Sequence, residues 1–324
     1  MSKLLEVKQL EVTYPATRRR GPSHAVDGVD LHVEKGEIVA LIGESGCGKS
    51  TLARVMVGLV KPTAGAVRHE DQQLSYRSSA LKRHRSAVQL VLQDPGSALN
   101  PRQNIYDAVA EGPRLHHFKG DLDQLVHDSL SRAGLRPPEQ FYARYPFELS
   151  GGQQQRVVIA GALALNPSIL VADEPVASLD ASVRGEILAL ILRLREELGL
   201  AALVISHDLG LAWNIADRVA VMYLGRIVEQ GPVEEVLLKP RHPYTRALLN
   251  ASPDPDREEL PEPISGEPPD PSRIPSGCRF HPRCEHRRTL AAKGIDVSGC
   301  TSQDQSLRVL GGGVEAACHL AQAG

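Results

Sequence analysis

Apolar and polar positions alternate along Leu4–Val12 and again along Ala25–Val33, the two-residue period of half-buried strands. A turn at Lys35-Gly36 leads into Glu37–Ile42, whose apolar run Ile38–Ile42 predicts a buried strand. A helix is predicted from Lys49 to about Leu59, stopped near Lys61-Pro62 because proline disfavours continuation. Gly65–His69 and Ala87–Leu92 are further strand candidates, the second ending at Gln93-Asp94-Pro95. Asn104 to Arg136 is helical in pattern, without a strand-like run, and predicts a helical insertion beside the sheet. Then come a helix over Gln154–Leu165, a strand over Ile169–Ala172, a helix over Val183–Leu198 and a strand over Ala201–Ile205. A short helix, Leu209–Ala216, precedes a hairpin of Arg218–Leu224 and Arg226–Gln230 about Gly225, and Pro232 opens a helix ending near Lys239-Pro240. Alternating buried strands and helices imply a mostly parallel sheet covered on both faces. From about Ser252 to Ser276 the chain is crowded with Pro, Asp, Glu and Gly and reads as a linker or irregular tail.

Composition narrows the function less than pattern does. With 324 residues the chain can bury a full core and need not be one domain. The formal net charge of -2 gives no argument for nucleic-acid binding, and the basic clusters Arg18–Arg20 and Lys82–Arg85 read as solvated faces. The N-terminus lacks the apolar region of a secretory signal, and no window approaches the ~20 apolar residues that span a bilayer. A cytoplasmic chain is expected, with its cysteines unpaired in a reducing compartment.

Candidate chemistry begins at Gly43-Glu-Ser45-Gly46-Cys47-Gly48-Lys49-Ser50-Thr51, between the strand at Ile38–Ile42 and the helix from Lys49. Glycines let successive N–H groups converge on phosphate oxygens; Lys49 can reach the β/γ-phosphates and the Ser50 hydroxyl can hold Mg²⁺. Such a loop needs an acidic partner, and the strand Ile169–Ala172 ends in one: Asp173 is placed to hold Mg²⁺, and Glu174 to polarise an attacking water.

With Leu149-Ser-Gly-Gly-Gln-Gln-Gln-Arg156 added, the chain closely resembles the ATP-binding cassette subunits of transporters over about Leu4 to Leu249. The resemblance implies an α/β fold of P-loop NTPase type, with an antiparallel β subdomain and a helical subdomain at about 100–165. It implies a nucleotide-binding domain over 1–250 and a cysteine-containing extension over 251–324. Ser150, Gly151 and Gly152, with Gln153 beside them, contact the γ-phosphate held by an opposing domain. Tyr14 stacks on adenine, Gln93 senses Mg²⁺ and water, Ser178-Leu179-Asp180 crosses the dimer interface, and His207 contacts the γ-phosphate. ATP and Mg²⁺ are thus the expected ligands, with Lys49, Gln93, Glu174 and His207 carrying the hydrolysis.

His242-Pro243-Tyr244-Thr245 and Gly277-Cys278-Arg-Phe-His-Pro-Arg-Cys284 resemble the extension of oligopeptide, dipeptide and nickel importers. That branch implies a second ATPase subunit (identical or a paralogue), two transmembrane permease subunits and a separate solute-binding protein, on the cytoplasmic face of the membrane. Some members place a [4Fe–4S] cluster on cysteines here, which carries over to Cys278, Cys284, Cys300 and Cys318. Their spacings of six, sixteen and eighteen positions are wide for a ferredoxin-like run, so zinc, with His281 or His286 as substitute ligands, and unbound thiols stay open. The rival functional class is a soluble mechanical or regulatory ATPase of the same fold.

Overall fold

The computed structural model describes residues 3–16, 21–252 and 263–321; Arg18–Arg20 and residues 253–262 of the proline-rich stretch lie outside these. In chain order the strands are β1 (Lys3–Tyr14), β2 (Ser23–Glu34), β3 (Ile38–Ile42), β4 (Ala64–His69), β5 (Gln72–Gln73) and β6 (Val88–Val91). They continue as β7 (Ile169–Asp173), β8 (Ala201–Ser206), β9 (Arg218–Tyr223), β10 (Arg226–Pro232), β11 (Arg308–Gly311) and β12 (Val314–Ala316). A four-stranded sheet has the order β2-β1-β4-β5, antiparallel throughout. The eight-stranded sheet runs β11-β12-β10-β9-β3-β8-β7-β6. Its strands from β9 to β6 are parallel, and β10, β12 and β11 add antiparallel partners at one side.

Every residue of β3, β7 and β8 is buried, as expected for strands packed on both faces. The two-residue period sorts β3 between two cores. Ile38, Ala40 and Ile42 join one with Val157 and Leu190; Val39 and Leu41 join the other with Leu5, Val26 and Leu52. The sheet is thus clamped between helices Gly151–Leu163 and Ala181–Leu198 on one face and helix Lys49–Met56 with the antiparallel sheet on the other. The loops bearing Gly43, Gln93, Glu174 and His207 all leave the carboxyl ends of the parallel strands, where ligands of such sheets bind.

The expected helical insertion is present as Ile105–Leu115, Leu122–Arg132 and Glu139–Tyr142. Side-chain caps start the first two: Asn104 Oδ1 accepts from Asp107 N–H at 2.8 Å, and Asp121 Oδ1 from Gln124 N–H at 3.1 Å. Two boundaries move for local reasons. The helix from Lys49 ends at Met56, because Gly58 at φ 73° turns the chain before Leu59. The helix expected from Gln154 starts at Gly151, because Ser150 and Gln153 form a capping box. Within the basic cluster, Lys82 and Arg83 are solvated, but His84 is buried with Nε2 2.7 Å from Met56 O.

Residues 263–276 carry neither helix nor strand, as the composition suggests, but the chain beyond them is ordered onto the main core. Phe280 is buried against Tyr223 and Tyr244, with ring centroids 5.4 and 5.3 Å away. β12 pairs with β10 through Glu229↔Ala316, so the tail extends the sheet, which the sequence pattern did not predict.

His242 caps the helix Pro243–Ala251 with Nδ1, which accepts from Tyr244 N–H at 3.0 Å. Burial pushes its pKa down to about 3, so it is neutral in the folded chain. The unfolded chain takes up that proton near ~6.5, so this contribution to stability is complete above ~6.5 and is lost as the pH falls toward the folded value. Asn at this position keeps a cap acceptor and removes the titration. His242→Asn is therefore expected to lose on the order of 1 kcal/mol less stability than the unsubstituted chain between about pH 7 and pH 5.5. Urea unfolding at both pH values checks this, and identical pH slopes would contradict it.

Candidate nucleotide site at the carboxyl edge of the sheet

The loop between β3 and the helix Lys49–Met56 can close only with glycine at two of its bends. Gly43 has φ 154° and Gly48 φ 113°; a Cβ on them would lie 2.2 Å from Met222 O and 2.0 Å from Ala25 O. The loop is therefore pressed against β9 and β2 and curled as a cradle of backbone N–H groups. Lys49 is buried, its Nζ donating to Gly43 O at 2.7 Å and Glu44 O at 3.0 Å, which holds the ammonium over the loop. Cys47 is packed beneath; burial pushes its thiol up, against the lowering effect of Lys49, and keeps it a neutral filler.

Ser50 Oγ, at the start of the helix, donates to Asp173 Oδ1 at 3.1 Å, from the end of β7. Two side-chain oxygens from separate elements thus stand side by side, hard donors of the kind that Mg²⁺ takes together with phosphate oxygens. Mg²⁺ held by Ser50 and Asp173 would supply charge neutralisation on the phosphate oxygens. Glu174 follows at φ 53°, in the left-handed region, with its N–H bonded to Ile205 O at 3.0 Å. A non-glycine residue held there costs on the order of 1–3 kcal/mol, a strain typical of functional turns. That turn aims the carboxylate at His207, whose Nδ1 lies 2.8 and 3.0 Å from its two oxygens.

One open cleft is lined by Ser45, Gly46, Gly48, Lys49, Ser50, Thr51, Gln93, Glu174 and His207, together with Ala25 from β2. Ala25 gave no sequence signal, since a small apolar residue in an alternating strand carries no chemical mark. Tyr14, at the end of β1, is half-exposed with its hydroxyl 3.5 Å from Thr51 Oγ1, on the rim of this region. Ser178 Oγ donates to Gln93 O at 3.4 Å, tying the segment after β7 to the end of β6. Ser150, Gly151, Gly152 and Gln153 do not line the cleft. They form the turn opening the helix Gly151–Leu163, exposed at Ser150 and Gly151 and packed against Leu179 and Val183.

The metal expected in the tail is corrected. Among the described residues no group of three or more His, Cys, Asp or Glu side chains is placed to hold a metal ion. Cys278, Cys284, Cys300 and Cys318 are therefore not the ligands of a [4Fe–4S] cluster or of zinc. Their surroundings give the reason. Burial pushes all four thiols up, Cys278 to about 12, and neighbouring thiols add to the rise at Cys278, Cys284 and Cys300. Cys284 Sγ accepts the capping N–H of Arg287 at 3.4 Å, Cys300 Sγ lies 3.9 Å from His319 Nε2, and His281 Nδ1 is 2.9 Å from Cys278 O.

A phosphate loop, an acidic strand end and a serine–glycine helix start on this doubly covered sheet define an ATP-hydrolysing cassette. Residues 26–177 match the family model described as ABC transporter, and residues 228–289 match the oligopeptide/dipeptide transporter C-terminal region. The chain is 42% identical to a probable peptide ABC transporter ATP-binding protein of Sinorhizobium fredii, over 98% of this chain and 90% of that one. It is 40% identical to the dipeptide transport ATP-binding protein DppF of Escherichia coli, over 95% and 92%. Among solved structures, cbiO1 of Clostridium perfringens, part of an ABC transporter complex, superposes with TM-score 0.66 at 30% identity, covering 74% and 92%. A dimeric ATP-binding cassette solved in a post-hydrolysis state with ADP and Pi gives TM-score 0.64 at 29% identity, covering 71% and 99%. The chain belongs to the ATP-binding, ATP-hydrolysing subunits of the oligopeptide/dipeptide family of ABC transporters. The soluble mechanical ATPase is set aside by that match, and no helix among the described residues is long and apolar enough to cross a membrane.

Proposed function

We propose that this chain powers import of peptides by hydrolysing ATP between two head-to-tail cassettes, one contributing the Lys49 loop and the other the Ser150 turn. The observation that carries this is the division of the site. Lys49, Ser50, Gln93, Glu174 and His207 line one cleft, and the serine–glycine turn, a helix N-terminus suited to an anion, lies elsewhere on the surface. A second subunit, identical or a paralogue, brings its turn to the γ-phosphate.

In this reading the backbone N–H groups of Ser45, Gly46 and Gly48 cradle the phosphates, and Thr51 extends the contact. Tyr14 stacks on the adenine ring. Ser50, Asp173 and Gln93 hold Mg²⁺. Glu174 takes a proton from the attacking water as bond formation to the γ-phosphorus advances, and His207 steadies both the carboxylate and the phosphoryl oxygens. Lys49 and the partner's signature turn offset charge on the transferred group. Residues 1–250 form the nucleotide-binding domain, with the helical subdomain at about 100–165, and 251–324 the extension.

Two permease subunits dock near Gln93 and the helical subdomain, placing the chain on the cytoplasmic face of the membrane. A separate binding protein delivers the solute, and the names of the relatives point to di- and oligopeptides. Reconstituted in vesicles with permeases, partner ATPase and binding protein, the chain is expected to hydrolyse ATP several-fold faster when peptide is added. Turnover indifferent to every peptide and to the binding protein would contradict the import reading.

A further inference from the structure

The C-terminal extension, together with the helix Pro243–Ala251 that leads into it, reaches the phosphate loop itself, most directly at Glu44. Three groups of Glu44 are engaged at once. Its N–H donates to the Tyr244 hydroxyl at 2.9 Å. Its carboxylate takes a two-pronged ion pair from Arg283, with Nη1–Oε2 at 2.7 Å and Nη2–Oε1 at 3.0 Å. Its carbonyl accepts from Lys49 Nζ at 3.0 Å. Arg283 is itself fixed: its side chain is 4% exposed, and its Nε donates to Ser265 O at 3.0 Å. Tyr244 is buried in the cluster with Tyr223 and Phe280.

A second arm runs parallel to the first. Arg279 donates to Leu224 O and pairs with Asp27, while the next residue, Gly225, donates its N–H to Cys47 O at 2.8 Å. Burial works to raise the Asp27 pKa, but Arg279 and Arg226 overrule it and hold the carboxyl below its usual range. Both arms therefore begin in the tail and end on the loop between β3 and Lys49.

We propose that the extension and the helix Pro243–Ala251 that leads into it form a positioning element of the phosphate loop, acting through Glu44. Arg283 and Tyr244 set Glu44, and Glu44 in turn helps set Lys49. The inference rests on the reading of this loop as the ATP site. Two physical effects follow. The guanidinium neutralises a carboxylate that would otherwise stand unpaired on the phosphate loop, one residue before Ser45 of the cleft. The fixed Glu44 carbonyl and N–H keep the cradle in one shape, so the ordering is complete before nucleotide arrives. Arg283 and Tyr244 touch neither nucleotide nor the reacting atoms, so they are positioning residues. A tail that shifts away from the loop weakens ATP binding at a distance.

The test measures KM for ATP and kcat in the assembled transporter for Arg283→Met, Glu44→Gln, the double variant and Tyr244→Phe. Arg283→Met is expected to raise KM about tenfold, with kcat within about threefold, because the uncompensated carboxylate repels the anionic substrate before chemistry. The double variant should return to within about threefold of Glu44→Gln alone, a coupling that loss of tail packing cannot produce. Tyr244→Phe keeps the aromatic packing and removes one hydrogen bond, so KM should rise about threefold. This variant decides the matter if Arg283→Met fails to fold. Unchanged KM in Arg283→Met and Tyr244→Phe, or a double variant no better than Arg283→Met, overturns the proposal. An unsubstituted chain that binds no ATP overturns the site reading beneath it instead.

Discussion

Glu174→Gln is expected to lower ATP turnover about a thousandfold, within the ~10²–10⁴ range for removing a general base, while ATP affinity stays within a few-fold. Glutamine has nearly the same shape and can still hydrogen-bond to His207 across the 2.8 Å contact, but it cannot accept the proton of the attacking water. The backbone strain at this position does not change. Its φ of 53° is fixed by the turn and by the bond from its N–H to Ile205 O, neither of which involves the side chain. Phosphate release and equilibrium binding of a fluorescent ATP analogue, measured on the same preparation, separate the two effects. Turnover within tenfold of the unsubstituted chain would remove Glu174 from the proposed role.

Lys49→Ala should instead weaken ATP binding itself. The ammonium is buried among loop carbonyls and is the only Lys or Arg side chain lining the cleft among the described residues. With two of its three N–H groups on loop carbonyls, one is left for a phosphate oxygen; a hydrogen bond to a charged group is worth roughly 1.5–3 kcal/mol, so its loss lowers ATP affinity by about 10–10²-fold. Gly43 O and Glu44 O lose their donor as well, which loosens the loop. Calorimetric titration with Mg–ATP reads the affinity, and circular dichroism reports whether the fold is kept. Binding within threefold of the unsubstituted chain would contradict the phosphate-loop assignment.

What could be read in the sequence was local. The loop at Gly43–Thr51 and the pair Asp173-Glu174 follow unbroken apolar runs, so buried strands and their active ends are visible together. Ser150 and Gln153 announce a helix start through a three-residue spacing, although the expected helix began at Gln154. The Glu44–Arg283 pair could not be read, since 239 positions separate its members and a surface-type Arg in a polar tail has no periodic mark. β12 is three residues long, too short for alternation to register, and its partner β10 lies some 85 positions earlier. The four thiols failed differently. Their clustering in sequence was real, but spacing says nothing of side-chain direction, and burial, a helix cap and a histidine contact use them otherwise.

The composite site is tested most directly by the mass of the Glu174→Gln chain in solution, by light scattering, with and without Mg–ATP. Alone or with a partner ATPase subunit, it is predicted to pair only when ATP is present, at two nucleotides per pair, because in the proposed arrangement each triphosphate is gripped by the Lys49 loop of one cassette and the Ser150 turn of the other. A chain that stays monomeric at saturating ATP in both cases, while the unsubstituted monomer hydrolyses ATP at the full rate, would contradict it.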